Sequence, residues 1–133
     1  MKNIIYFGLL LAVSITSCKK ENTEDEATKE KPVFTFTSPF ENQVYAFGDT
    51  VKIRGTITAG YDMHGYNVKL FNVASGMNVL NQGYHEHGGD FNVNESWKNT
   101  VSDTIQMKII VDAAIDHEGN LATKEITITC HPQ

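Results

Sequence analysis

The chain is poor in the features that usually reveal an enzyme. It has no P-loop, no GxGxxG, no HExxH, no CxxC and no GxSxG, so the common phosphate-cradling, dinucleotide-binding and hydrolytic signatures find no support. Two cysteines among 133 residues cannot build a disulfide scaffold. Positive charge is scarce: 11 Lys and Arg face 16 Asp and Glu, a formal net charge of −5. That balance argues against nucleic acid and anionic membrane surfaces as partners. Beyond the first eighteen residues no hydrophobic run is long enough to span a bilayer, and that first run is itself shorter than the ~20 residues a spanning helix needs. What is present is an ordinary apolar fraction, 41%, in a length that suits one domain, together with five histidines.

Residues 1–17 have the layout of a secretory signal, with Lys2 before an apolar run from Ile4 to Ile15. The run ends Ile15-Thr16-Ser17-Cys18, which resembles the lipobox of bacterial lipoproteins. The resemblance implies cleavage before Cys18 and acylation, palmitate-type chains included, of its thiol and its new amino group. Several acyl chains anchor stably where one is marginal. The alternative is an ordinary signal peptide with an incidental Cys. Residues 18–31 follow as the acylated Cys and a tether. Lys19 to Lys31, KKENTEDEATKEK, has nine charged residues of thirteen and no aromatic, and is expected to be disordered. Its acidic group (Glu21, Glu24, Asp25, Glu26) resembles the export signal of surface lipoproteins of Bacteroidota. The implied location is the outer membrane, at the cell surface or on the periplasmic face.

From Pro32 the pattern has period two, and no helical stripe competes with it. Seven strands are expected, near residues 33–37, 50–58, 66–70, 77–84, 91–97, 104–113 and 121–130. In the second, Val51, Ile53 and Ile57 share one face and Lys52, Arg54, Thr56 and Thr58 the other, as antiparallel sheets permit. Short strands with turn signals about every dozen residues point to an all-β sandwich over 32–133. The runs SPFENQVYAFGDTVKIRGTIT and DAAIDHEGNLATKEITITC resemble bacterial Ig-like and cadherin-like modules, with a GD-x-V step and a D-x-x-GN turn. The implied fold is a seven-stranded antiparallel Ig-like β-sandwich following the lipoprotein signal peptide and tether. The resemblance is to small Ig-like lipoproteins of Bacteroidota, and it implies no activity.

Cys130 shares the parity of Ile126 and Ile128, so it is expected to point inward as a small hydrophobe. Its neighbour His131 then faces the other way, which counts against a Cys-His metal pair. Trp97 reads as a core or edge-covering aromatic.

The remaining histidines are sorted. If the strands alternate up and down, the second–third, fourth–fifth and sixth–seventh connections (residues 59–65, 85–90 and 116–120) share one end. They carry His64, His85 with His87, and His117, with Asp62, Glu86, Asp116 and Glu118 nearby as additional candidate ligands. Two imidazoles two residues apart on extended backbone can converge on one ion at ~2.0–2.1 Å per bond. Three or four imidazoles with a carboxylate suit Zn²⁺, Cu²⁺ or Ni²⁺, with Zn²⁺ or Cu²⁺ expected, and Met63 would add a soft donor for Cu(I). Folding does not require this sorting. The expectation is therefore a non-enzymatic, membrane-anchored metal-binding protein. The alternative is a metal-free surface module that binds a glycan or protein partner, which an exposed platform of Trp97, Tyr61, Tyr66 or Tyr84 would favour. The triplets Asp49-Thr50-Val51 and Asp103-Thr104-Ile105 also resemble the O-glycosylation acceptor pattern of Bacteroidota.

Overall fold

A computed structural model of the protein describes residues 30–133. The signal peptide expected over 1–17, Cys18, and the tether up to residue 29 lie outside the described residues. Among the described residues the regular elements are all strands: β1 (Val33–Ser38), β2 (Gln43–Tyr45), β3 (Thr50–Met63), β4 (Tyr66–Asn72), β5 (Met77–Tyr84), β6 (Gly88–Lys98), β7 (Ile105–Ala114) and β8 (Leu121–Cys130). They form two sheets, ordered β1-β3-β6 and β2-β8-β7-β4-β5. Among the described residues no helix is long and apolar enough to cross a membrane.

Alternation builds the core. Val51, Ile53 and Ile57 of β3 and Phe91 and Val93 of β6 are buried from one sheet. From the other come Tyr66, Val68 and Leu70 of β4, Met107, Ile109 and Val111 of β7, and Ile126, Ile128 and Cys130 of β8. These residues make one apolar cluster between the sheets, a β-sandwich. Cys130 is fully buried and carries a free thiol, which burial pushes up from its usual pKa. His131 is exposed and its Nδ1 hydrogen-bonds with Thr104 Oγ1 at 2.9 Å. Trp97 is half-buried against the core. Asn99 is a fully buried polar residue whose amide joins three segments. Its Nδ2 donates to the carbonyls of Tyr45, Ala46 and His131, and its Oδ1 accepts from Val101 N–H.

The expected seven-stranded antiparallel arrangement needs correcting in number and in direction. Among the described residues there are eight strands, and the additional β2 runs parallel to β8, pairing Gln43, Val44 and Tyr45 with Ile128, Thr129 and Cys130. Three residues are too few for a period-two pattern to stand out. The crossing from β1 in one sheet to the outer edge of the other makes this pair parallel. Two boundaries also move towards the histidines. β3 continues to Met63, with an irregularity between Thr58 and Met63, and β6 begins at Gly88. The connections expected over 59–65 and 85–90 shrink to residues 64–65 and 85–87.

Candidate metal centre

Register decides which imidazoles meet. Met63 pairs with Gly88 in the β3–β6 ladder, so the next antiparallel position sets His64 opposite His87. Both lie where the chain changes sheets: His64 as β3 passes to β4, His87 as β5 passes to β6. The His64 N–H donates to Ala114 C=O at 2.8 Å, and the Ala114 N–H donates to Gly65 C=O at 2.9 Å, tying this crossing to the end of β7. Gly65 has φ of 120°, and a Cβ there would stand 2.2 Å from the Tyr84 carbonyl oxygen. Only glycine lets β5 come this close before it delivers His85 and His87.

The β7–β8 turn brings the third imidazole. Asp116 Oδ1 accepts from the N–H groups of Glu118 and Asn120 at 2.9 and 3.1 Å, and Oδ2 accepts from Asn120 Nδ2 at 2.6 Å. Gly119 closes the turn with φ of 89°. His117 is held inside this loop.

The rings converge. His64 Nδ1 and His87 Nδ1 are 3.0 Å apart. The His64 and His117 centroids are 3.7 Å apart with planes tilted by 43°. His87 lies 4.7 Å from His64, 5.9 Å from His117 and 5.2 Å from His85, centroid to centroid. His64, His87 and His117 thus form the cluster, and His85 stands at its edge beside His87. His64 is half-buried and the other three are exposed.

The carboxylates named with them behave differently. Asp116 organises its own turn and so places His117. Asp62, Glu86 and Glu118 are exposed. The Glu86 charge reaches the neighbouring tyrosines. Burial pushes the Tyr66 phenol up, and Glu86 and Glu95 add to that. Tyr84 donates to Glu95 Oε1, and this bond, with burial, pushes its pKa up to about 12. Tyr61 is raised by burial and by the charge of Asp116. Met63 is fully buried in the core, so it is packing rather than a soft donor. The residues the sequence reading passed over are Gly65, whose signal is a glycine at a strand crossing, and Asn67 and Asp112, polar residues inside strands.

Among the described residues no group of three or more His, Cys, Asp or Glu side chains stands ready around a single ion position. The His117 ring packs against His64 at a tilt of 43°, and the short nitrogen–nitrogen approach is that of His64 with His87. No protein-family model matches this chain, and no curated protein matches it.

Proposed function

We propose that the protein is an envelope-anchored lipoprotein whose Ig-like sandwich binds one transition-metal ion, Zn²⁺ or Cu²⁺, through His64, His87 and His117, with His85 as a further ligand. The anchor reading rests on Ile15-Thr16-Ser17-Cys18 after the apolar run. The Ig-like reading is supported by the division of strands, with β3 beside β6 in one sheet and β8-β7-β4 in the other, as in Ig-type sandwiches.

The observation that carries the metal reading is the 3.0 Å separation of His64 Nδ1 and His87 Nδ1 with a third imidazole packed on the first. Two nitrogens bonded to one ion at ~2.0–2.1 Å stand about 2.9 Å apart at a right angle and about 3.3 Å apart at a tetrahedral angle. The pair is already at ligand spacing. Completing the set requires rotation of His117, and of His85 where a fourth ligand is used. Both are exposed side chains, for which another staggered rotamer moves the ring. An aromatic platform, the feature that would favour a metal-free module, has less support. Tyr66 is buried, Trp97 and Tyr61 are half-buried, and Tyr84 stacks on Tyr66 at 4.7 Å.

The test is a Zn²⁺ and Cu²⁺ titration of the full chain, purified without a histidine tag. The parent takes up about one equivalent, as a single shared site requires. The double variant His64→Ala/His87→Ala takes up none. Equal uptake by parent and double variant overturns the reading.

A further inference from the structure

The outer face of the three-stranded sheet gathers positive charge on a chain whose net charge is −5. Val51 and Ile53 of β3 point into the core, so Lys52 and Arg54 point outward. The ladder sets Ser96 opposite Lys52, Asn94 opposite Arg54 and Lys98 opposite Thr50. Trp97, between Ser96 and Lys98, packs against the core, so those two share the outer face. Same-face neighbours on a strand are ~6.5–7 Å apart, and diagonal neighbours across a ladder ~7–8 Å. Lys98, Lys52 and Arg54 therefore follow one another in a strip.

The strip has no internal counterion. On the other sheet Lys69 pairs with Asp112 and Lys108 with Glu125, each at 2.9 Å. Among the described residues Lys52, Arg54 and Lys98 pair with no carboxylate. The nearest acidic groups are engaged elsewhere. Glu95 accepts from Tyr84, Glu41 accepts from the Thr127 N–H, and Asp49 Oδ2 accepts from the Ala46 N–H at 2.8 Å. Asp90 stands opposite Thr58, towards the other end of the ladder. Arg54 Nη1 donates to the carbonyls of Ile53 and Glu95, which holds the guanidinium against the sheet and leaves Nε and Nη2 for a ligand. Past the cations the face continues in hydroxyls and amides, with Thr35, Thr56 and Asn92 side by side across the three strands.

We propose that this face binds an anionic polysaccharide laid along β3. Its carboxylate or sulfate groups meet Lys98, Lys52 and Arg54, and its hydroxyls meet Thr56 and Asn92, which can each donate and accept. Charge complementarity selects this occupant. An extended anionic plane such as a bilayer would face the whole molecule and be opposed by its net charge. A single chain responds to charges within a Debye length of ~8–10 Å, where the strip dominates. Among the described residues the face carries no aromatic side chain on which nucleic-acid bases could stack. The strip lies at the end of β3 away from His64, so the inference does not rest on the metal site.

The experiment is an NMR titration of the ¹⁵N-labelled full chain with oligogalacturonate and with heparin-derived tetrasaccharide. Dextran oligosaccharide is the neutral reference, and phosphatidylglycerol vesicles present the same sign of charge as a membrane. At least one anionic oligosaccharide should shift the amides of Lys52, Arg54, Ser96 and Lys98 saturably, with affinity that falls as salt rises. Lys52→Gln/Lys98→Gln, at two exposed positions, should weaken binding about tenfold or more, the scale of a lost charge-assisted hydrogen bond. Lys124→Gln, which removes an exposed charge from the other sheet, should bind as the parent does. Both variants should take up zinc like the parent. Four outcomes overturn the proposal: no binding of either anionic probe, unchanged affinity in the double variant, equal loss in Lys124→Gln, or binding to the vesicles alone.

Discussion

At the Nδ1 separation of His64 and His87, one ring must accept what the other donates, and two imidazolium ions could not face each other so closely. A metal ion satisfies both nitrogens at once, and it needs them deprotonated. Metal affinity should therefore fall as pH drops and protons compete with the ion for the ring nitrogens. Competition with a chromophoric chelator between pH 5 and 8 checks this. His131→Ala should leave the whole profile unchanged, because His131 lies beyond the far end of β8 with Thr104. Tyr84 makes a separate prediction at the alkaline end. Its folded pKa is raised from 10.0 to about 12 by Glu95 and burial, so the folded state holds its proton more tightly than the unfolded chain. That contribution is complete below pH ~10 and is lost as pH rises towards about 12. Tyr84→Phe should flatten the loss of thermal stability over that window; an unchanged slope contradicts the Glu95 bond. The other raised tyrosines, Tyr45, Tyr61 and Tyr66, should keep some slope in the variant.

At the level of strands and turns, the close packing of two crossings makes the cluster. Gly65 combines a left-handed φ with a carbonyl 2.2 Å from where its Cβ would be, whereas Gly119 has positive φ and open space around it. Gly119→Ala should cost about 1–2 kcal/mol, the conformational penalty alone. Gly65→Ala should cost more than that and weaken zinc binding as well, because β5 must move away and take His85 and His87 with it. Urea denaturation beside a zinc titration separates the two effects, and equal costs at both sites would contradict this account. The same features explain what the sequence could convey. β5 and β8 are legible to the residue, because Tyr84 ends an extended run before the His85–Gly89 stretch and Cys130 is the last residue in step with Ile126 and Ile128, before Pro132. The far end of β3 is not: Ile57, Ala59, Tyr61 and Met63 keep the alternation, but Ala59-Gly60 reads as a turn and the ladder there is irregular. β2 is too short to have a period. Strand parity was enough to gather four histidines at one end. The facing of His64 by His87 depends on how many β3 residues bulge between Thr58 and Met63, which no pattern encodes. Asn67 and Asp112 read as solvated outward positions, and only the ladder sets them side by side.

For the molecule as a whole, the histidines come from three connections that are far apart in the unfolded chain, so a metal bound by all of them favours the folded state. At a free zinc concentration a hundredfold above Kd, linkage contributes about 2.7 kcal/mol. In a domain of this size that raises Tm by roughly 10 °C or more. Calorimetry of parent and His64→Ala/His87→Ala with and without zinc should show the rise in the parent only. The position of the cluster, at the sheet crossings, also ties it to the core. Met63, directly before His64, is fully buried, and the Ala114 hydrogen bonds fix the chain on either side. The most direct test is X-ray absorption of the zinc-loaded full chain. The account predicts a nitrogen shell at ~2.0–2.1 Å with the multiple-scattering signature of at least three imidazoles. A shell of oxygens, or of a single imidazole, would contradict it.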